Sequence, residues 1–154
     1  MNRALLIGMA GRITSDKHQD LIINMANKKK YFFRKKKIIF HLAGDGDLKK
    51  TLTKKVIYLS IEDIVKFDGY LNEDKLIRWF KKLQIYLHLS KDETTSTSII
   101  QSMSMSLPVI ASKIGGNNNF LKYFNKYPNI LLTKNNIDNV FFNIKKLINH
   151  PKKR

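Results

Sequence analysis

Apolar residues follow two different spacings along this chain. Short apolar runs, such as those at 4–9 and 107–112, are typical of strands buried on both faces of a sheet. Longer stretches, in which apolar residues recur every three or four positions, predict helices with one buried face. Because the two patterns alternate, the chain predicts a parallel sheet with crossover helices.

Six strands are predicted, at 4–9, 36–44, 64–70, 83–90, 107–112 and near 130–132. Helices are predicted at about 16–30, in a Lys-rich segment ending near 55, from 72 onward, at 96–106, in a short turn near 117–123 and in a final segment ending near 149. No repeat, linker or low-complexity segment divides the chain. The predicted fold is therefore α/β: one Rossmann-like domain over residues 1–154, with a doubly wound parallel sheet.

Capping residues and apolar faces predict the limits of two helices. Ser15 or Asp16 is expected to cap the first helix, and Asn72 with Glu73 to begin the helix after the third strand. The predicted buried faces are Leu21, Ile22 and Met25 in the first helix and Leu76, Trp79 and Phe80 in the second.

Three polar stretches directly follow predicted strands. They are GRITSDKH at 11–18, GDGD at 44–47 and SKDETTSTS at 90–98. In a doubly wound sheet, ligands bind outside the carboxyl ends of the strands. We therefore expect these stretches to converge on one edge of the sheet and to form a binding site there.

The first stretch is a candidate phosphate site. Gly11 and Arg12 lie on the predicted loop, and Lys17 lies in the predicted first turn of a helix. Cations beside a helix N-terminus suit a diphosphate. Ordinary surface charge explains Lys17 equally well, but Arg12 carries more weight because the chain has only four other arginines.

The third stretch begins with Glu93 and leads to Gln101, eight residues later. A carboxylate and an amide there could bond sugar hydroxyls and a ribose diol. The hydroxyls of residues 94–98 could cap the helix or line a phosphate site with its N–H groups. The pattern alone favours the simpler interpretation, in which the hydroxyls are helix caps and Glu93 and Gln101 are surface polar groups.

Composition narrows the class of protein. The chain has 154 residues, 43% of them hydrophobic, which suits one folded domain. It has no cysteine, which excludes disulfides and thiolate chemistry, and its four histidines show no metal-ligand spacing. No apolar run is long enough for a membrane-spanning helix.

The net charge of +17 leaves three interpretations open. Solvated lysines are the simplest, an anionic membrane surface is the second, and nucleic acid is the third. Because no nucleic-acid-binding motif is present, no specific nucleic-acid partner is expected.

Four segments in order resemble a known family. They are GMAGRITSDKHQDLII, IIFHLAGDGDLKKTL, VKFDGYLNEDKLIRWF and IYLHLSKDETTSTSIIQSMSMSLPVIASKIGGNNNFL. Together they resemble the carboxyl-terminal domain of family 4 glycosyltransferases (glycosyl transferases group 1), a retaining group with the two-domain GT-B architecture. The resemblance implies a domain that binds a nucleotide-sugar donor, either a UDP-sugar or a GDP-sugar, without a metal or other cofactor.

The resemblance also implies roles for particular residues. Beside Gly11, Arg12 and Lys17 match the pair that neutralises the donor diphosphate. Glu93 matches the first acid of the family's E-x7-E motif, near the donor sugar, and is the implied catalytic residue. Gln101 stands where the second acid holds the ribose. The remaining matches are Ser96 and Thr97 at the phosphate-binding helix start and Tyr70 and Leu71 at the base-contacting loop.

Three positions depart from the family pattern. Gln101 replaces the second glutamate, and an amide should bond a diol more weakly by ~1 kcal/mol than a carboxylate does. Residues 94–96 replace a Gly-Phe-Gly segment, and His18 replaces a glycine. These changes place the affinity and identity of the donor in question more than the fold.

The family's amino-terminal acceptor domain is expected to be absent, because Met1 falls almost at the first strand. The expected function is a hexosyltransferase-like donor domain for polysaccharide or glycolipid synthesis, inactive until an acceptor domain, for instance on a separate chain, joins it. A non-catalytic or vestigial nucleotide-binding module is the alternative. The expected location is cytoplasmic, either free or at the inner face of the membrane.

Overall fold

A computed structural model of the chain describes residues 4–92, 96–115 and 130–149. Its six strands are β1 Leu5–Ala10, β2 Ile38–Ala43, β3 Val65–Gly69, β4 Ile85–His88, β5 Val109–Ser112 and β6 Ile130–Thr133. All neighbouring strands pair in parallel, in the order β3-β2-β1-β4-β5-β6. Because the chain winds outward from β1 in one direction and then in the other, the predicted doubly wound α/β fold is confirmed.

Helices cover both faces of the sheet. They are α1 Gln19–Lys28, α2 Lys30–Lys35, α3 Lys49–Tyr58, α4 Glu73–Phe80, α5 Thr97–Ser104 and α6 Ile137–Asn149. Residues of α1, α2, α3 and α6 form one apolar core with the sheet, and residues of α4 and α5 form a second core on the other face. Among the described residues, no helix is long and apolar enough to cross a membrane.

Aromatic side chains fill much of both cores. On the first face, the Phe33 ring packs edge-on against Phe40 and Phe141, with centroid distances of 5.0 Å and 5.7 Å. On the second face, the buried Tyr86 ring lies beside Phe80, and its hydroxyl donates a hydrogen bond to the carbonyl of Ala10 at 3.2 Å. Tyr86 therefore supports the carboxyl end of β1 from below.

The first helix differs from its prediction. It begins at Gln19, after a turn. The capping position before it is His18, which has the left-handed conformation and makes no side-chain cap hydrogen bond. The expected capping by Ser15 or Asp16 is wrong, because the Asp16 carboxylate instead accepts a hydrogen bond from the hydroxyl of Thr14 at 2.5 Å. The predicted helix is also interrupted at Lys29, which has non-helical backbone angles, and α2 begins at Lys30.

The start of α4 agrees with its prediction. The Asn72 side chain accepts a hydrogen bond from the Lys75 N–H at 3.1 Å, which caps the helix. Trp79 and Phe80 are buried, whereas Leu76 is only partly buried. The short helical turn predicted near 117–123 lies outside the described residues.

The loops that follow β1 and β2 touch through their backbones. The Gly11 N–H donates to the Ala43 carbonyl at 3.0 Å, and the Gly44 N–H donates to the Gly69 carbonyl at 2.7 Å. Gly44 has φ +138, and a Cβ atom there would lie 1.9 Å from the Gly11 carbonyl oxygen. Only glycine fits this approach, which fixes the edge of the sheet where the loops meet.

We predict that Gly44→Ala destabilises the domain. Gly115→Ala is the matched control, because a Cβ atom at Gly115 would meet none of the described residues within 4 Å. Urea unfolding should show a loss of more than ~1 kcal/mol for Gly44→Ala, since alanine cannot adopt this backbone without strain or displacement. The control should change stability by less than about 0.5 kcal/mol. Equal stability of the two variants would contradict the close approach.

Candidate functional site

Two adjoining pockets lie at the carboxyl edge of the sheet, each with a volume of about 290 Å³. Both are lined by Ala10, Gly11 and Leu76, so these three residues separate them. The polar stretches after β1, β2 and β4 converge here, as the parallel topology requires. An elongated ligand could therefore occupy both pockets at once.

The first cavity, here called the apolar pocket, lies between the loops after β1, β2 and β3. Its lining residues are Ala10, Gly11, Arg12, Ala43, Gly44, Asp45, Tyr70, Leu71 and Leu76. Tyr70 is 77% exposed, so its ring stands at the surface, available to a ligand. The Asp45 carboxylate accepts hydrogen bonds from the Gly46 N–H and the Lys49 ammonium, which hold its pKa below the usual range.

The second cavity, here called the polar pocket, lies between the turn before α1, the end of β4 and the first turns of α5. Its lining residues are Met9, Ala10, Gly11, Lys17, Leu76, His88, Ser96, Thr97, Ser98 and Gln101. An ammonium group, an imidazole, three hydroxyls and an amide thus surround one cavity. No carboxylate is among these lining residues, so the described wall of this pocket favours an anion.

Lys17 lies in the turn before α1, not in the first turn of the helix as predicted. Its ammonium nitrogen is 3.4 Å from the Ser90 hydroxyl and 3.7 Å from the Asp16 carboxylate. The hydrogen bond from Thr14 is the main cause that lowers the pKa of Asp16. Asp16 therefore stays ionised at neutral pH, and its carboxylate attracts the Lys17 ammonium, which lines the polar pocket.

Hydrogen bonds tie the loop after β4 to the neighbouring strands. The Ser90 N–H donates to the Ser112 hydroxyl at 2.9 Å, and the Asn135 amide donates to the Ser90 carbonyl at 2.8 Å. Since Ser90 also contacts the Lys17 ammonium, the position of that cation depends on β5 and on the segment after β6.

The start of α5 is not capped by its own serine. Ser96 has the extended conformation of an N-terminal capping residue but makes no side-chain cap hydrogen bond. Its hydroxyl lies 2.8 Å from the Ser98 hydroxyl and 3.4 Å from Nδ1 of His88. Of the hydroxyls that could cap this helix, that of Ser96 therefore does not do so, and the first-turn residues Thr97 and Ser98 line the polar pocket without a cap from Ser96.

Eight of the nine candidate residues line these two cavities. Gly11, Arg12, Tyr70 and Leu71 line the apolar pocket, and Gly11, Lys17, Ser96, Thr97 and Gln101 line the polar pocket. Glu93 lies outside the described residues. Within residues 4–92, 96–115 and 130–149, no group of three or more potential metal ligands comes together.

Five lining residues were not predicted to belong to the site: Met9, Ala10, Ala43, Leu76 and His88. His88 is the last residue of β4 and is 4% exposed. Leu76 packs against the second core, as predicted, and also lines both pockets. A polar residue at the carboxyl end of a predicted buried strand was the available signal for His88.

Solved structures of other proteins share this fold. HepE from Anabaena, in complex with UDP and glucose, has a TM-score of 0.80 at 21% identity, over 97% of this chain and 40% of HepE. TarM from S. aureus, in a complex that includes UDP, has a TM-score of 0.80 at 24% identity, over 95% of this chain and 29% of TarM. These similarities show the fold.

Sequence comparison gives the family. The O-antigen biosynthesis glycosyltransferase WclY from Escherichia coli is 28% identical over 110 residues, which cover 71% of this chain. The chain spans 29% of the length of that relative. The family model described as "Glycosyl transferases group 1" matches residues 2–154. The chain therefore belongs to the glycosyl transferases group 1 family.

Proposed function

We propose that this domain binds the nucleotide-sugar donor of a retaining glycosyl transfer reaction. One observation carries the proposal: an apolar pocket and an anion-favouring pocket share a wall at the carboxyl edge of the sheet. A nucleoside diphosphate has the same two parts, a flat base and a charged diphosphate. The UDP present in the HepE and TarM complexes supports a UDP-sugar as the first donor to test, with a GDP-sugar as the alternative.

The base is proposed to occupy the apolar pocket. Tyr70 and Leu71 border it on one side, and Leu76 borders it toward the polar pocket. Apolar side chains suit the faces of a planar ring, and exposed backbone groups of the loop could bond its edge. Gln101 lies in the adjoining pocket, where it is proposed to bond the ribose diol.

The diphosphate is proposed to occupy the polar pocket. Lys17 and the first-turn residues Thr97 and Ser98 of α5 line it, and Arg12 lines the adjoining apolar pocket, from which its guanidinium is proposed to reach the diphosphate. When the bond between the anomeric carbon and the diphosphate breaks, negative charge builds on the leaving phosphate. Cations and N–H groups already in position stabilise that charge, which lowers the barrier. Glu93 is proposed to lie near the donor sugar.

The reaction as a whole requires an acceptor site. We propose that an acceptor domain, on a separate chain or elsewhere in the same protein, closes over the donor during polysaccharide or glycolipid synthesis. The role of WclY in O-antigen biosynthesis supports polysaccharide synthesis. A non-catalytic nucleotide-binding role is the second candidate function. Gln101 favours it, because a neutral amide stands where the family has a carboxylate that holds the ribose. Donor hydrolysis or transfer by the chain with an acceptor domain would exclude this second role.

We predict that the chain binds UDP or GDP more tightly than ADP, and that Arg12→Gln weakens this binding at least tenfold. Loss of a charged hydrogen bond costs about 1.5–3 kcal/mol, and 1.4 kcal/mol corresponds to tenfold. Arg78→Gln is the matched control, because Arg78 is an exposed arginine on α4 that lines neither pocket. Calorimetric titration measures both variants.

Several outcomes of this titration contradict the proposal. Arg12→Gln and Arg78→Gln with equal affinity would exclude the assigned site. Equal, salt-sensitive binding to all three nucleotides, to duplex DNA and to anionic vesicles would indicate that the net charge of +17 alone attracts polyanions. We also propose an anionic membrane surface as a second partner. Selective binding of UDP, together with binding to anionic vesicles but not to DNA, would support it.

We also predict that Gln101→Glu binds UDP about fivefold more tightly. A carboxylate bonds a ribose diol more strongly than an amide does, by ~1 kcal/mol. The 2′-deoxy form of UDP is the control ligand. Since it lacks one ribose hydroxyl, its affinity should rise less on Gln101→Glu than that of UDP. An equal change for both ligands would show that Gln101 does not contact the ribose.

A further inference from the structure

We infer that His88 is a positioning residue of the polar pocket: it holds the Ser96 hydroxyl away from the first-turn N–H groups of α5 and so keeps them open to a diphosphate. This inference rests on the proposed function, because it explains how the same pocket receives its anion. It assigns a role to a buried side chain that was not among the candidates predicted from the sequence.

The geometry around His88 carries the inference. The side chain is 4% exposed at the end of β4 and lines the polar pocket. Its Nδ1 atom lies 3.4 Å from the hydroxyl of Ser96 and 3.4 Å from that of Ser98. The two hydroxyls are 2.8 Å apart. One imidazole nitrogen and two hydroxyls therefore form a single polar cluster on the pocket wall.

This cluster competes with helix capping. Serine is among the preferred N-terminal capping residues, and Ser96 has a suitable backbone, with φ −99 and ψ 114. A capping hydroxyl would accept a hydrogen bond from the N–H of Ser98 or Ile99. It would then occupy the donors that an anion needs. Because the Ser96 hydroxyl faces His88 and Ser98 instead, it does not occupy them.

Two substitutions of His88 separate its polar role from its bulk. His88→Leu fills a similar volume without a hydrogen-bonding atom, so the Ser96 hydroxyl should turn to cap α5. His88→Asn keeps a polar atom at about the position of Nδ1 and should retain the cluster. His41→Asn is the control for replacing a partly buried histidine, since His41 contacts Asp68 at 3.0 Å and lines neither pocket.

Calorimetry with UDP and with uridine tests the effect on the diphosphate alone. We expect His88→Leu to weaken UDP binding about tenfold while uridine binding stays within about twofold. The UDP affinities of His88→Asn and of His41→Asn should both stay within about threefold of that of the unaltered chain. The double variant His88→Leu/Ser96→Ala should regain UDP affinity, because the hydroxyl that would cap the helix is gone. Equal weakening for UDP and uridine, or no regain in the double variant, would overturn the inference.

Amide hydrogen exchange tests the same role without a ligand. In the unaltered chain, the Ser98 and Ile99 amides should exchange quickly, since the Ser96 hydroxyl does not cap them. In His88→Leu, exchange of one of them should slow by about tenfold, and in His88→Asn it should not. Unchanged exchange in His88→Leu would overturn the positioning role. If His88→Leu does not fold, His88→Phe keeps a ring without nitrogen and replaces it in both experiments.

The two experiments distinguish the inference from the function on which it rests. If the unaltered chain binds neither UDP nor GDP, the proposed function fails, while hydrogen exchange still decides whether His88 directs Ser96. If UDP binds but His88→Leu changes neither affinity nor exchange, the proposed function stands and the inference about His88 fails.

Discussion

The site depends on how closely the backbone approaches itself at the carboxyl ends of the three strands β1, β2 and β3. The loop after β1 bonds to the end of β2, the loop after β2 bonds to the end of β3, and Gly44 lies against the Gly11 carbonyl. A side chain at Gly44 would hold the first two loops apart, because its Cβ atom would lie 1.9 Å from the Gly11 carbonyl oxygen. Since Gly11 lines both pockets, this packing of backbone on backbone determines the shape of the whole site.

The polar pocket shows how a fold can present positive charge without leaving it mobile. Lys17 is held by the Asp16 carboxylate and the Ser90 hydroxyl, and Ser90 is bonded in turn to Ser112 and Asn135. The N–H groups of α5 add further positive character, fixed by the helix itself. Groups that are already in place do not have to reorganise when charge develops on a leaving phosphate, which is the main advantage of such a site.

The sequence predicted the fold well because its signals are periodic and local. All six strands lie near their predicted positions, and the Asn72 cap is confirmed because it needs only residues three apart. The predicted start of α1 was wrong because Asp16 makes other hydrogen bonds. Its carboxylate accepts from the Thr14 hydroxyl, and its backbone carbonyl accepts from the Lys91 N–H, which is distant in the sequence. The sequence could not reveal such a distant partner.

The position of the site at the edge of the sheet could be predicted, but the side-chain contacts that line its pockets could not. Parallel topology alone brings the loop of Arg12 and Lys17 and the helix of Gln101 to one edge of the sheet. The family was predicted from the ordered motifs and is confirmed by the match over residues 2–154. The contact of His88 with Ser96 joins a strand to a helix start. A contact of this kind depends on three-dimensional packing that no spacing along the chain expresses.

A crystal structure of the chain with UDP tests the central claim most directly. The account predicts the diphosphate within hydrogen-bonding distance of the Lys17 ammonium and the first-turn N–H groups of α5, with the uracil ring beside Tyr70 and Leu71. UDP bound elsewhere on the surface, or bound here with its base in the polar pocket and its phosphates in solvent, would contradict the account.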